Sequence, residues 1–189
     1  MTLTNGLVVM TPTSIAYSGT SASINADGSV VFSDVTSLSL NSVFTADYDN
    51  YMIAVRGSIS NTNRTFQYRL RSGTTDENSA SNYYTYQYLS VQDTSVGGTR
   101  IAATFGRFNS MGYGDGNQKS GCACYIFGPY LTQPTASRGV GASNYSTMPS
   151  VSIIDYATIH SLSNSYNGIT VFPSSSSFTG LLTVFGFNQ

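Results

Sequence analysis

The stretch "RTFQYRLRS", residues 64–72, decides the fold class of this chain. Its residues alternate between apolar and polar, with Phe66, Tyr68 and Leu70 in one set and Gln67, Arg69 and Arg71 in the other. Successive side chains of a β-strand point to opposite faces of the sheet. The period of two therefore predicts a strand with one face turned to a core.

Short runs of the same kind lie on both sides of this strand. "SASINADGSVVF", residues 21–32, predicts a hairpin whose turn is Asn25-Ala26-Asp27-Gly28. "YMIAVRGSI", residues 51–59, is apolar almost throughout, as in a strand covered on both faces. Similar runs follow as far as "LLTVFGF", residues 181–187. About ten strands at this spacing are typical of an all-β sandwich or barrel, and we predict one domain over residues 14–189.

The composition agrees with an all-β chain and excludes some partners. Only 9% of the 189 residues are charged, with Lys119 the single lysine and Glu77 the single glutamate. Strong helix formers are thus scarce, while Tyr and Thr favour strands. A net charge of −1 gives no basic surface for nucleic acid or anionic membranes. The Ser, Thr, Asn and Tyr residues suit an adhesive or assembly surface, or simply keep the chain in solution.

The stretch "FTADYDNYMIAV", residues 44–55, carries two acids that could suggest a calcium loop. An EF-hand loop needs glycine at its sixth position, and Met52 stands there. We interpret the stretch as a turn before a strand, in which Asp47 and Asp49 accept bonds from their own backbone and Tyr48 and Tyr51 anchor the turn by packing.

No motif predicts catalysis, a cofactor or a metal. Cys122 and Cys124, two residues apart on one strand face, are too distant for an unstrained disulfide. His160 cannot complete a zinc site with them. One histidine, one glutamate and no nucleophile elbow argue against an enzyme. The glycine-rich residues 111–118 contain no lysine, so they do not form a phosphate loop.

Two groups of residues are candidates for contacts with a partner. Tyr84, Tyr86 and Tyr88 share one face of a predicted strand, and Tyr83 lies opposite. These tyrosines could stack on sugars or anchor a protein, or they could be the core face of the strand. The first dozen residues form the second candidate, an N-terminal arm of residues 1–13 that reaches a partner. Its contact residues are predicted to be Thr2, Leu3, Leu7, Val8 and Val9.

The N-terminus has neither the basic region nor the apolar region of a signal peptide, and no window is long and apolar enough to span a bilayer. The sequence therefore predicts a chain that is made in the cytoplasm and has no membrane partner.

Three segments in order resemble a module of virion proteins from tailed bacteriophages, especially marine and cyanobacterial phages. They are "SLSLNSVFTADYDNYMIAVRGSIS" (residues 37–60), "RTFQYRLRSG" (residues 64–73) and "FTGLLTVFGF" (residues 178–187). The resemblance runs from about residue 7 to the C-terminus and implies a structural, decoration or fibre protein. The chain lacks the shaft and attachment domain of a tail fibre, so it looks more like a capsid decoration or cement protein.

We therefore interpret the chain as an antiparallel, jelly-roll-like β-sandwich with a short N-terminal arm. The resemblance implies a homotrimer on the outer capsid surface, bound to the major capsid protein and stabilising the head. The alternative is a receptor-binding tail-fibre tip or head-fibre domain that recognises a host surface glycan through Tyr83 and its neighbours. A polysaccharide depolymerase is disfavoured, because acidic pairs are scarce and no β-helix repeat appears.

Overall fold

The computed structural model describes residues 6–59, 64–91, 97–111, 120–144 and 151–188, and this part of the chain is all-β. No helix in it is long and apolar enough to cross a membrane. Its strands pair antiparallel throughout. In chain order they are β1 (Val8–Val9), β2 (Ser14–Ile24), β3 (Val30–Asn41), β4 (Asn50–Ile59), β5 (Arg64–Ser72), β6 (Thr75–Asp76), β7 (Tyr83–Val91), β8 (Gly97–Ala103), β9 (Gly106–Met111), β10 (Ser120–Phe127), β11 (Thr135–Asn144), β12 (Val151–His160), β13 (Gly168–Pro173) and β14 (Phe178–Phe187).

The strands form one strongly curled sheet that folds over itself as a jelly-roll-like β-sandwich. The larger layer runs in the order β3, β14, β4, β10, β11, β12, β7, β8. The smaller layer contains β13 and β5, with β6 and β9 paired to β5. The predicted fold class is confirmed, with more strands than the ten expected.

Strand β3 belongs to both layers and makes the corner between them. Its first half pairs with β14 as far as Val35, and its second half pairs with β13 from Leu38 onward. At the change of partner, Asp34 has a φ of 51° and Gly19, on the paired strand β2, has a φ of 131°. The ladder between β2 and β3 shifts register at this point. Such irregularities bend a strand, so the β2–β3 hairpin turns the corner of the sandwich.

The core lies between the layers and confirms the alternation in β5. Phe66, Tyr68 and Leu70 are fully buried. Phe66 stacks on Phe108 of β9, with ring centroids 5.3 Å apart, and meets the edge of Phe178 at 5.3 Å. Aromatic pairs at such distances contribute about 0.5–1.5 kcal/mol beyond the burial of their area.

The opposite side of β5 is polar and internally paired. Arg71 Nη1 lies 2.8 Å from Asp76 Oδ1 and donates to Thr170 Oγ1. The guanidinium of Arg69 lies 4.8 Å from the centre of the Phe172 ring, in cation–π geometry. The arginines of this strand thus fasten β6 and β13 to β5.

Strand β9 crosses the inner face of the larger layer at a glycine. A Cβ atom added to Gly139 of β11 would lie 1.9 Å from the carbonyl oxygen of Phe108. No side chain fits in that space. Gly139 therefore allows the two layers to approach backbone to backbone.

The described part of the predicted arm pairs within its own chain. Val8 and Val9 pair with Gly186 and Phe185 of β14, and the Met10 N–H donates to the Val184 carbonyl at 2.9 Å. Residues 8–10 are therefore part of the sandwich, and they do not project from it as the predicted arm required. Thr2 and Leu3 lie outside the described residues.

The turn before β4 is held differently from the prediction. The Tyr51 hydroxyl accepts from the Thr45 N–H at 2.7 Å and donates to the Thr45 carbonyl at 2.8 Å. The Asp49 N–H donates to Asn188 Oδ1 at 2.9 Å. Among the described residues, the Asp47 carboxylate accepts only from the Thr45 hydroxyl, so the predicted bonds from the aspartates to their own backbone are wrong. The buried Tyr51 organises the turn, because its hydroxyl reaches backbone groups that a short carboxylate does not.

We expect Tyr51→Phe to lower the free energy of unfolding by about 1–3 kcal/mol, because the Thr45 N–H and C=O lose a buried partner. Asp49→Ala is the matched control and should change stability by less than about 0.5 kcal/mol. Urea unfolding of both variants measures the difference. A larger loss from Asp49→Ala than from Tyr51→Phe would contradict this description of the turn.

The two cysteines are buried and free, as predicted. Burial raises the pKa of Cys122 to about 12 and raises that of Cys124 as well. Since the thiolate is the reactive form, both thiols are inert in the folded protein.

Candidate functional site

The tyrosines of β7 divide between the core and the surface. Tyr84, Tyr86 and Tyr88 share one face of the strand, as predicted, and that face is turned to solvent. Tyr83 is fully buried. Its hydroxyl accepts from the Leu70 N–H at 3.0 Å and donates to the Glu77 carbonyl at 3.0 Å. Tyr83 is therefore a core residue, and the prediction that it contacts a partner is corrected.

The half-buried Tyr84 and the exposed Tyr86 and Tyr88 continue into a wide surface made by the outward side chains of the larger layer. The strand register places these side chains in rows that cross the sheet. One row is Phe185, Met52, Tyr125, Arg138, Ala157, Tyr86 and Arg100, from β14 to β8. The next is Thr183, Ala54, Ala123, Val140, Asp155, Tyr88 and Gly98. We call this surface, together with Tyr84, Ile159, Val31, Leu181 and Arg56, the outer face.

The outer face is broad and exposes large apolar side chains. Eight strands at about 4.8 Å spacing make it roughly 34 Å wide. Six of its large apolar or aromatic residues are more than a third exposed, namely Tyr86 (56%), Tyr88 (47%), Ile159 (46%), Val31 (43%), Leu181 (38%) and Val140 (38%). Four of them, Tyr86, Tyr88, Ile159 and Val140, lie on the neighbouring strands β7, β12 and β11. An exposed apolar patch of this kind marks an interaction site in soluble proteins.

The charges on the outer face are mainly positive. Arg138 pairs with Asp155, with 2.5 Å between Nη2 and Oδ2, and this bond raises the pKa of the guanidinium. Arg56 and Arg100 form no ion pair with any described residue. Arg100 lies over the ring of Tyr84, 5.1 Å from its centre. Three positive charges and one negative therefore stand on this face of a chain whose net charge is −1.

A shallow groove of about 350 Å³ crosses the outer face beside β7. Its walls are Tyr84, Tyr86, Ala157 and Ile159, and Arg100 stands at its edge. Apolar walls with one cation suit a side chain or a ring that carries an acidic or hydroxyl group.

A second, polar depression of about 300 Å³ lies beside β6. Its carboxylates are already used in the fold, since Asp76 accepts from Arg71 and from Thr170 Oγ1 at 2.6 Å, and Glu77 accepts from the Ser79 N–H at 2.9 Å. Beneath it, His160 Nε2 lies 2.6 Å from the hydroxyl of Tyr166. Burial lowers the pKa of His160, so the ring stays neutral in the core.

The predicted contact residues of the arm lie apart from the tyrosines in the described structure. Leu7 and Val9 are exposed beside β14, whereas Tyr84 and Tyr86 stand near the other edge of the same layer. Sequence reasoning did not find Arg100, Val140 or Ile159 as members of the site. Only the pairing of β8, β11 and β12 with their neighbours brings these residues beside the tyrosines.

Comparison with family models and with curated proteins finds no match for this chain. Among solved structures, the chain is similar to the seed lectin (isoform) of Lotus tetragonolobus, with 9% sequence identity. The similarity covers 93% of this chain and 98% of the lectin, at a TM-score of 0.26. At that TM-score, we draw no functional inference from the lectin.

Proposed function

We propose that this chain is a structural protein of a tailed-phage virion, which binds the outer surface of the capsid as a decoration or cement protein and stabilises the head. It is made in the host cytoplasm, and its partner is the major capsid protein. The proposal assigns it no catalytic step and no cofactor. The observation that carries the proposal is the outer face, a broad and largely apolar surface rich in tyrosine and arginine.

The chemistry of the outer face fits a protein partner. Protein interfaces are enriched in aromatic residues and Arg and depleted in Lys and Glu. The described outer face contains four tyrosines, one phenylalanine and three arginines but neither lysine nor glutamate. Tyr and Arg are also the residues that most often dominate the energy of such interfaces.

The charges indicate the kind of protein surface that would fit. Arg56 and Arg100 have no ion-pair partner in the described part of the chain, so the acidic residues of a docked surface would supply such partners. Many copies on one shell need only modest affinity each, because neighbouring attachments reinforce one another. The resemblance to phage virion modules supports the same setting.

Charge reversal on the outer face tests the proposal. We expect Arg100→Glu and Arg56→Glu each to weaken binding to undecorated capsids at least about tenfold, because each places a carboxylate against an acidic surface. Cosedimentation of the purified variants with capsids from which the protein is missing measures the loss.

Ser174→Glu, at an exposed position outside the outer face, is the control and should bind as the natural chain does. Higher salt should weaken the binding of the natural chain, because exposed charge pairs are screened. If both charge-reversal variants bound capsids as the natural chain does, the outer face would not be the surface that binds the capsid.

A second candidate is a receptor-binding fibre domain that recognises a host surface glycan. The groove beside Tyr84 and Tyr86 favours it, because exposed aromatic rings stack on the apolar faces of sugars. Under this alternative, the natural chain should bind host cells and not capsids, and Tyr86→Ala should abolish the binding to host cells. Binding of the natural chain to capsids but not to host surface polysaccharide would exclude it.

A further inference from the structure

The free edge of β2 is the strongest unexplained feature away from the outer face. Within the described chain, β3 is the only strand that pairs with β2. Strand β2 is 11 residues long, and eight of those residues are exposed. Its second edge therefore presents a row of backbone N–H and C=O groups to solvent over the whole strand.

Natural proteins protect such edges with Lys, Pro or inward charges, because an unprotected edge pairs with another strand. The sequence of β2, "SIAYSGTSASI", has no charged residue and no proline. Main-chain bonds from an added strand would satisfy the open groups. The edge therefore has the features of a pairing site, and its one irregularity is the register shift at Gly19.

The bend in β2 selects the partner. The strand turns the corner of the sandwich at Gly19, where φ is 131° and the ladder with β3 shifts register. A straight strand could follow only one half of a bent edge. A second β2 carries the same bend, and a two-fold axis through the corner makes the two bends coincide.

We propose that β2 pairs antiparallel with β2 of a second copy of this chain, around a two-fold axis near Gly19. The absence of charged residues in β2 is consistent with this pairing. Any charged residue near the axis would face the same charge on the second copy, and opposed like charges destabilise paired strands. The resulting assembly has two copies, in place of the three that the resemblance to decoration proteins implies. The inference does not depend on the outer face or on the capsid.

The position next to the axis gives a sharp test. Ser18 is exposed, and its copies would lie within about 8 Å of each other across the axis. Ser18→Lys and Ser18→Glu each place like charges there. We expect each variant alone to be a folded monomer, and an equimolar mixture of the two to form a heterodimer.

Native mass spectrometry of the full chain distinguishes the outcomes. The natural chain should show twice its mass of 20.2 kDa. A monomer or a trimer of the natural chain, or a mixture that stays monomeric, would overturn the proposal. A dimer that persists in both single variants would place its interface away from β2 and would equally overturn it.

Cross-linking gives an independent measurement of the same contact. Thr20→Cys introduces one exposed thiol beside the axis, while Cys122 and Cys124 are buried and unreactive. The two thiols would lie about 8 Å apart, too far for a disulfide, so a bifunctional maleimide with a spacer of about that length should link the two copies into a covalent dimer. Ala157→Cys, exposed on the outer face, is the control and should stay uncross-linked. Equal cross-linking of both variants would contradict the pairing of β2.

Discussion

The Tyr83→Ala variant is expected to lose about 3–5 kcal/mol of unfolding free energy, as large-to-small changes of buried aromatic residues do. The ring of Tyr83 lies 4.4 Å from that of His160 and meets the edge of Tyr68 at 6.0 Å. Its hydroxyl also joins Leu70 of β5 to Glu77. The substitution leaves a cavity between the layers and removes both hydrogen bonds.

Tyr86→Ala is the matched control, three residues along the same strand and 56% exposed. It should change the unfolding free energy by less than about 0.5 kcal/mol. The two variants thus separate the core residue from the surface residue by chemical denaturation alone. Equal losses from both would mean that the two sides of β7 are assigned wrongly.

The Gly139→Ala variant is expected to lose at least about 3 kcal/mol, because the added methyl group overlaps the Phe108 carbonyl and β9 must move away from β11. The displacement would also disturb the stacked pair Phe66 and Phe108. Thermal unfolding of the purified variant measures the loss.

Gly121→Ala on the neighbouring strand β10 is the control for this prediction. The nearest atom to its added Cβ would be the Val55 carbonyl oxygen at 3.9 Å, an ordinary van der Waals contact. It should therefore fold with nearly unchanged stability. If Gly139→Ala were as stable as Gly121→Ala, that result would contradict the close approach of β9 to β11 at Gly139.

The local features of the fold could be predicted from the sequence. The turn at residues 25–28 appears as expected, with Gly28 at a φ of 84° and its N–H bonded to the Asn25 carbonyl at 3.0 Å. The burial of Phe66, Tyr68 and Leu70 in β5 and the buried, unpaired state of the cysteines were also predictable, whereas the burial of Gln67 and Arg71 was not. The turn, the buried side of β5 and the state of the cysteines each depend on the residue type and on residues that are close in the sequence.

Features that depend on contacts between distant segments could not be predicted. The polar, glycine-rich residues 132–150 predict a surface loop, yet residues 135–144 ("TASRGVGASN") form β11. Its glycine at 139 is required by the crossing of β9, which overrides the weak strand propensity. The run "TRIAATFGRF", residues 99–108, looks like one strand in the sequence, but it is divided between β8 and β9, which lie in different layers.

The candidate site was predictable only in part, for the same reason. The period of two placed Tyr84, Tyr86 and Tyr88 on one face, but it did not say which side of β7 meets the core. Burial of Tyr83 decides that question. The cations and aliphatic residues of the outer face come from strands that are far apart in the sequence, so strand order had to be known first.

The measurement that tests the central claim most directly is the copy number of this chain in purified phage particles, by quantitative mass spectrometry against the major capsid protein. The account predicts a copy number comparable with that of the capsid protein, as in a decoration lattice. A chain that is absent from the particle, or present only at the low copy number of tail or vertex fibres, would contradict it.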